Sequence, residues 1–95
     1  MANDELFKAL ADANRRKILK LLQKKDSMTA GDIAEQFSIS KPAVSDHLKV
    51  LRNTGLIYAE KKGQFIYYQL DTTVVQELTA ILFDLLKINK EESEK

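Results

Sequence analysis

The sequence predicts a mainly α-helical domain with one small β-hairpin, in the order of four helices, two strands and a fifth helix. Residues 30–56 form two short amphipathic segments around a polar turn, which is the pattern of a helix-turn-helix. Residues 56–60 and 65–70 are rich in β-branched and aromatic residues and flank a glycine-containing tip at 61–64, which is typical of a hairpin. An apolar-rich segment at 72–89 is predicted to be the last helix. A helix-turn-helix followed by such a hairpin is a winged helix-turn-helix.

Length and composition favour a single soluble domain. We expect the 95 residues to form this domain over 1–90, followed by a charged, flexible tail over 91–95. The chain has no cysteine, which excludes disulfides and thiolate metal sites. It has no apolar run of about 18 residues, and its first residues lack the layout of a signal peptide. The expected location is therefore cytoplasmic, without membrane insertion.

Positive charge is concentrated in the middle of the chain. The net charge is only +1, yet residues 13–64 carry 11 lysines and arginines against 5 acidic residues. Cations that neutralise phosphates release counterions, so this distribution favours a nucleic acid as partner. Double-stranded DNA is preferred over RNA, because the major groove of A-form RNA does not admit a helix.

Capping residues mark the second and third helices. A first helix is predicted over about residues 4–11, and Asp12 has the position of the cap of a second helix. Thr29 and Asp32 have the spacing of a capping box, with aspartate in place of glutamate. They open a third helix that is predicted to reach Phe37.

The fourth helix has both of its ends marked in the sequence. Ser40 is its predicted cap, Pro42 fits the first turn, and Gly55 closes it as a left-handed residue. Apolar residues that repeat at helical spacing must face inward, namely Val44, Leu48 and Leu51. The polar residues between them are left on or near the outer side.

The fourth helix and the hairpin tip carry the predicted DNA contacts. The helix at 40–53 would enter the major groove from its N-terminal end, and the wing tip at 60–65 would reach the adjacent minor groove or its phosphates. Serine bonds bases or phosphates, alanine touches a thymine methyl, and basic residues anchor phosphates. The helix candidates are Ser40, Lys41, Ala43, Ser45, Asp46, His47, Lys49 and Arg52. The wing-tip candidates are Lys61, Lys62 and Gln64.

Several of these positions have two interpretations. His47 either contacts phosphate or braces the helix, and a pH-sensing role is less favoured. Asp46 either accepts a hydrogen bond from a cytosine amino group or, as the favoured alternative, pairs with a neighbouring base such as Lys49. Arg15 and Arg16 either contact the DNA backbone or brace the fold through ion pairs.

The apolar pattern of the last helix predicts a homodimer. Its apolar stripe is broader than the area that the core of one small domain can bury. The predicted interface combines residues of this helix and of the first helix: Leu6, Phe7, Leu10, Val75, Leu78, Ile81, Leu82 and Leu85. A monomer whose last helix covers its own core is the alternative.

Three segments carry a resemblance to a known family. They are FKALADANRRKILKLL at 7–22, MTAGDIAEQFSISKPAVSDHLKVLRNTGLI at 28–57 and KKGQFIYYQL at 61–70. In their order and spacing the chain resembles the ArsR/SmtB family of bacterial winged-helix repressors, and most closely the SdpR-like branch. The resemblance implies a dimeric repressor, often of its own promoter, that binds an inverted-repeat operator.

The resemblance also bears on metal binding. Family members that sense metals place cysteines at positions that here hold Thr29 and Gly31, and others place histidine and carboxylates on the terminal helix. This chain has no cysteine, and its single histidine is His47. Neither site can be built without thiolate or imidazole ligands, so no metal and no cofactor are expected.

Other function classes are weaker. No catalytic residues are predicted, because the serines have no base partner except His47. A winged helix used as a protein–protein interaction module, without DNA specificity of its own, is the stronger rival. Steep loss of affinity with salt would indicate DNA binding. A regulatory protein partner or a ligand at the dimer helices stays open as the inducing signal.

Overall fold

The computed structural model describes the backbone of residues 2–94 and the side chains of residues 4–87. Its element order confirms the predicted winged helix-turn-helix and adds one short strand that was not predicted. In chain order the elements are α1 (Ala2–Leu10), α2 (Ala13–Lys25), β1 (Met28–Thr29), α3 (Ala30–Ala34), α4 (Lys41–Asn53), β2 (Ile57–Lys62), β3 (Phe65–Leu70) and α5 (Thr72–Glu94).

Helix α2 begins at the predicted cap. Asp12 has extended backbone angles (φ −94°, ψ 129°), and its carboxylate accepts hydrogen bonds from the backbone N–H groups of Asn14 (2.8 Å) and Arg15 (3.1 Å). The helix ends at Asp26, which has φ 68° and ψ −50°. The N–H of Ser27 donates to the carbonyl of Lys25 (2.7 Å), so Asp26 is the central residue of a γ-turn with positive φ, a strained conformation.

Helix α3 is shorter than predicted. Thr29 and Asp32 form both hydrogen bonds of the capping box, which confirms the predicted start. The helix stops at Ala34 instead of Phe37, because the N–H groups of Gln36 and Phe37 bond carbonyls only three residues earlier, at 3.0 and 3.1 Å. This tighter turn places Phe37 against the core, half-buried.

The sheet is antiparallel, with the strand order β1-β3-β2. Strand β1 pairs Met28 with Tyr68 and Thr29 with Tyr67, so the residues that lead into α3 are tied to the hairpin. The pairing therefore fixes the hairpin against the helix-turn-helix.

The hairpin is tighter than predicted. Strands β2 and β3 pair as far as Lys62 opposite Phe65, which leaves Gly63 and Gln64 as a two-residue turn in place of the predicted four-residue tip. Gly63 has a φ of 63°, as the first central residue of a type II′ turn requires. Lys61 and Lys62 consequently belong to a strand, where successive side chains point to opposite faces.

Helix α4 closes through Gly55 as predicted. Gly55 has a φ of 80°, its N–H donates to the carbonyl of Arg52 (3.0 Å), and the N–H of Leu56 donates to the carbonyl of Leu51 (3.1 Å). These two bonds define a Schellman motif. A Cβ atom at Gly55 would also lie 3.2 Å from Cγ2 of Val74, which is closer than most Cβ contacts, so a larger residue here would press on α5.

One hydrophobic core joins the helices to the sheet. The inward-facing residues of α4 are buried as predicted, and α1, α2, α3 and the strands contribute the rest. Its members are Leu6, Ala9, Ile18, Leu22, Met28, Ile33, Val44, Leu48, Leu51, Leu56 and Ile57. Burying one large aliphatic side chain stabilises the fold by about 1.5–3 kcal/mol, so this cluster holds α4 firmly on its inner side.

Helix α5 begins after Asp71, whose carboxylate accepts a hydrogen bond from the N–H of Thr73 (2.9 Å), and it extends beyond the predicted end at 89. Val74 and Leu78 pack against the core, whereas the following turns leave it. The flexibility predicted for the tail at 91–95 stays a prediction, because those side chains lie outside the described residues.

Candidate nucleic-acid interface

The start of α4 is held by its own first turn. Ser40 has extended backbone angles (φ −71°, ψ 157°), and its Oγ accepts a hydrogen bond from the N–H of Ala43 at 3.2 Å. Pro42 lies in the first turn, where its missing N–H costs no hydrogen bond. The predicted cap is therefore confirmed, and the Ser40 hydroxyl keeps its own O–H donor.

Four of the predicted DNA contacts share one side of α4. Lys41, Ser45, Lys49 and Arg52 are all exposed, and their spacing places them in line along the helix. We call these four residues the exposed row. Since Val44, Leu48 and Leu51 on the adjacent side of α4 are buried in the core, the exposed row is presented to solvent in a fixed orientation.

Asp46 lies beside the exposed row and is itself exposed. The favoured pairing with Lys49 is not formed, since the described ion pairs join other residues. The Asp46 carboxylate is thus directed to solvent next to three cationic side chains of the row. Hydrogen bonding to a base remains its predicted role.

His47 and Ala43 lie on the other flank of α4 and are half-buried. The His47 side chain is only 17% exposed, and its Nε2 lies 4.0 Å from Oδ1 of Asp12. Its Nδ1 lies 3.4 Å from a terminal guanidinium nitrogen of Arg15. Of the two predicted roles of His47, the bracing role is the one that this geometry favours.

Asp12 is the polar junction between α2 and α4. The backbone N–H of Arg15 lowers the pKa of its carboxyl below 3.8, and the N–H of Asn14 together with the positive charges of His47 and Arg15 acts in the same direction. Partial burial opposes this shift. Asp12 is therefore ionised at neutral pH and faces His47 as a carboxylate.

Arg15, Arg16 and Lys17 brace the helices, although not through the ion pairs that were considered for the arginines. Arg15 donates to the carbonyls of Ala9 (2.8 Å) and Lys8 (3.0 Å), and Arg16 donates to the carbonyl of Leu10 (2.8 Å). These carbonyls belong to the C-terminal end of α1. Cations there satisfy acceptors that have no partner within the helix.

Lys17 does the same for the turn after α3. It donates to the carbonyl of Gln36 (2.7 Å) and lies over the ring of Phe37, 4.5 Å from the centroid. Arg15, Arg16 and Lys17 thus stabilise the fold. The number of lysines and arginines in residues 13–64 is therefore larger than the number that is available for DNA.

The wing-tip lysines are exposed on opposite faces of the hairpin. Lys62 Nζ lies 4.0 Å from a carboxylate oxygen of Glu60 and 5.9 Å from the centroid of the Tyr67 ring. Lys61 is opposite Ile66 in the strand register and has neither of these contacts. Gln64 is exposed in the turn itself.

The predicted dimer residues divide into buried and exposed groups. Leu6 is only 5% exposed and belongs to the core, which corrects its assignment to an interface, because it has little surface left for a partner. Leu10 and Leu78 are half-buried against the core. The exposed members are Phe7, Val75, Ile81, Leu82 and Leu85, and Phe83 (64% exposed) and Leu86 (63%) join them.

Metal binding and membrane insertion each require a particular arrangement of residues. Among the described residues, no group of three or more histidine, cysteine, aspartate or glutamate side chains is placed to hold a metal ion. Within the same part of the chain, no helix has the length and apolar character that crossing a membrane requires.

A capped helix with a polar and basic outer side, followed by a basic hairpin, defines a winged-helix DNA-binding domain. The family described as "Bacterial regulatory protein, arsR family" matches residues 12–59. This match covers α2 through the first half of β2, which includes the whole helix-turn-helix.

Two curated relatives and one solved structure extend the match. The transcriptional repressor SdpR of Bacillus subtilis is 57% identical over 78% of this chain and 81% of its own length. The arsenic resistance transcriptional regulator ArsR1 of Pseudomonas putida is 31% identical over 90% of this chain and 67% of its own length. A crystal structure titled as an ArsR family transcriptional regulator superposes with a TM-score of 0.84, at 24% identity, over 94% of this chain and 91% of that one.

The chain belongs to the ArsR family of bacterial regulatory proteins, as its sequence motifs predicted. It is a DNA-binding transcriptional regulator, and its relatives in this family are regulators as well.

Proposed function

We propose that the chain is a homodimeric repressor that binds an inverted-repeat DNA operator, with α4 in the major groove and the wing tip beside it. The observation that carries this proposal is the exposed row on α4. It presents three cations and a serine on a helix whose adjacent side is buried. Such a helix enters the major groove with its side chains already aligned.

Within the exposed row the roles differ with position. Lys41 and Ser45 lie toward the N-terminal end of α4, which reaches deepest into the groove, and are assigned to base edges or nearby phosphates. Lys49 and Arg52 lie further along and are assigned to the phosphate backbone. Asp46 is assigned to a cytosine amino group, since its carboxylate is not paired with Lys49.

The homodimer is supported by the apolar surface of α5. Ile81 and Leu85 continue the stripe of the core-packed Val74 and Leu78, and Val75, Leu82 and Leu86 form a second stripe beside it. Monomeric soluble proteins rarely expose a continuous apolar patch of this kind. A second copy of the chain would remove it from water at a gain of about 25 cal/mol per Å².

Two-fold symmetry of such a dimer implies two DNA half-sites in inverted orientation, about one or two helical turns apart. Binding to such a site blocks RNA polymerase by occupying the promoter, and the name of the SdpR relative supports repression over activation. A repressor of this kind acts in the cytoplasm, where its promoter lies. It works by occupying DNA, so we assign it no catalytic role.

Fluorescence anisotropy tests this proposal directly. A labelled duplex from upstream of the protein's own gene and a scrambled duplex of the same composition are titrated at about 50 and 200 mM salt, where several phosphate contacts cost orders of magnitude in affinity. We expect tighter binding to the native duplex and steep salt loss on both. The variant Lys49→Ala should weaken binding, whereas Lys24→Ala, an exposed lysine at the end of α2, is the matched control.

The outcomes separate the proposal from its rival. Binding that does not change with salt, or no binding even at low salt, would favour a protein–protein interaction module. The exposed face of α5 would then be the surface that binds the partner protein. An equal loss of DNA affinity in Lys49→Ala and Lys24→Ala would show that the exposed row contributes no more to DNA binding than any other surface lysine.

A further inference from the structure

Helix α4 is joined to the corner between α1 and α2 by three polar side chains. Asp12 Oδ1 accepts two backbone N–H groups of α2 and lies 4.0 Å from Nε2 of His47. Arg15 faces the other ring nitrogen of His47 at 3.4 Å. The same guanidinium donates to the carbonyls of Lys8 and Ala9 at the end of α1. His47 of α4 is thus linked to α2 directly and to α1 through Arg15.

The donor chemistry assigns the proton on this imidazole. A guanidinium has five N–H donors and no acceptor, so Nδ1 of His47 can only accept from Arg15. In the tautomer that makes this bond, the N–H of Nε2 faces the Asp12 carboxylate, 4.0 Å away.

The position of His47 keeps it away from the exposed row. Its side chain is only 17% exposed, and it shares its flank of α4 with Ala43 and Val50, which are also half-buried. The apolar core fixes the distance of α4 from the domain, but aliphatic packing is weakly directional. A polar contact on one flank can additionally fix the rotation of α4 about its own axis, which sets the direction of the exposed row.

We propose that His47, held between Asp12 and Arg15, is a positioning residue for sequence recognition and not a DNA contact. The proposal rests on the proposed function, in which α4 reads the DNA. Specific binding needs several side chains to meet base edges together, whereas non-specific binding needs only charge near phosphates. Loss of the cluster should therefore reduce binding to the operator and leave binding to unrelated DNA unchanged.

The experiment uses a duplex that the full-length wild-type protein enriches from a random pool, and a scrambled duplex as the non-specific reference. His47→Ala should weaken operator binding roughly tenfold, the order of one lost base contact, with no change on scrambled DNA. The slope of log affinity against log salt should stay that of the wild type.

Conservative variants provide the rescue. His47→Asn offers an acceptor toward Arg15 and His47→Gln offers a donor toward Asp12, so each should recover part of the lost specificity. Asp12→Ser keeps a good helix cap but removes the carboxylate that faces His47, and it should reproduce part of the loss. Urea unfolding of every variant shows that the loss does not come from a destabilised fold.

Each outcome decides between the alternatives. Equal weakening on both duplexes with a shallower salt slope would show that His47 contacts phosphate, and would overturn the proposal. So would wild-type specificity in His47→Ala. A wild-type protein that enriches no sequence from the pool would instead overturn the proposed function, and this proposal with it.

Discussion

The hydroxyl of Tyr58 on β2 donates a 2.8 Å hydrogen bond to Oε1 of Gln69 on β3. Gln69 in turn donates from Nε2 to Glu60 (3.2 Å), and Glu60 lies 4.0 Å from Nζ of Lys62. These residues occupy one face of the hairpin, as their cross-strand pairing requires. The chain of contacts runs toward the tip and places Lys62 beside a carboxylate.

The two wing-tip lysines should therefore differ in their effect on DNA binding. Lys61→Ala should reduce the slope of log affinity against log salt by about 0.9, the value of one phosphate contact, while Lys62→Ala should reduce it by less. Anisotropy titrations over a salt series measure both slopes. Equal slopes for the two variants would mean that the contact of Lys62 with Glu60 breaks on the DNA.

Asp12 should couple stability to acidic pH. Its folded-state pKa is lowered below 3.8, mainly by the N–H of Arg15, so its ionised form stabilises the fold above the unfolded-state pKa. That stabilisation is lost as the pH falls through the folded-state pKa. Asp12→Asn keeps a good cap but cannot ionise.

Urea unfolding at pH 7, 5, 4 and 3 measures the gap in free energy of unfolding between the wild type and Asp12→Asn. The gap should favour the wild type at pH 7 and 5 and begin to shrink once the pH falls below the unfolded-state value of ~3.9, as linkage requires. A gap that is independent of pH would show that the Asp12 charge adds nothing beyond its role as a cap.

The helix starts were predictable because capping acts locally. Asp12, the Thr29–Asp32 box and Ser40 each satisfy N–H groups within three residues of their own position, so sequence spacing alone identifies them. Gly55 was predictable for the same reason, since a positive φ restricts the residue that can stand there.

The features that were missed or left open depend on partners in other elements of the fold. Strand β1 was missed because it exists only through the pairing of Met28 with Tyr68, and a two-residue strand has no periodicity of its own. Bracing was one of two alternatives for Arg15 and His47. The sequence could not decide between them, because the contacts that favour it come from the carbonyls at the end of α1 and from Asp12.

The apolar face of α5 should control the oligomeric state. Leu82→Glu places a charge in the second stripe of each protomer, so two buried leucines are lost per dimer, at about 1.5–3 kcal/mol each. The dissociation constant of the dimer should therefore rise by roughly 100-fold or more. Light scattering coupled to size exclusion measures this over a concentration series.

Ala80→Glu is the control, because it adds the same charge on the exposed side of α5 that carries Glu77 and Asp84. It should leave the oligomeric state unchanged. Dissociation of both variants, or of neither, would place the interface elsewhere.

Gly55 should be the glycine whose substitution costs most stability. Gly55→Ala forces a side chain into a φ of 80° and brings its Cβ within 3.2 Å of Val74, so unfolding should become easier by at least ~1–2 kcal/mol. Gly31→Ala is the matched control: it lies within α3, its Cβ would meet only Thr29 Oγ1 at 3.8 Å, and alanine favours a helix over glycine by up to ~1 kcal/mol. Urea midpoints should therefore move in opposite directions, and a shift of the same sign in both variants would refute the strain assigned to Gly55.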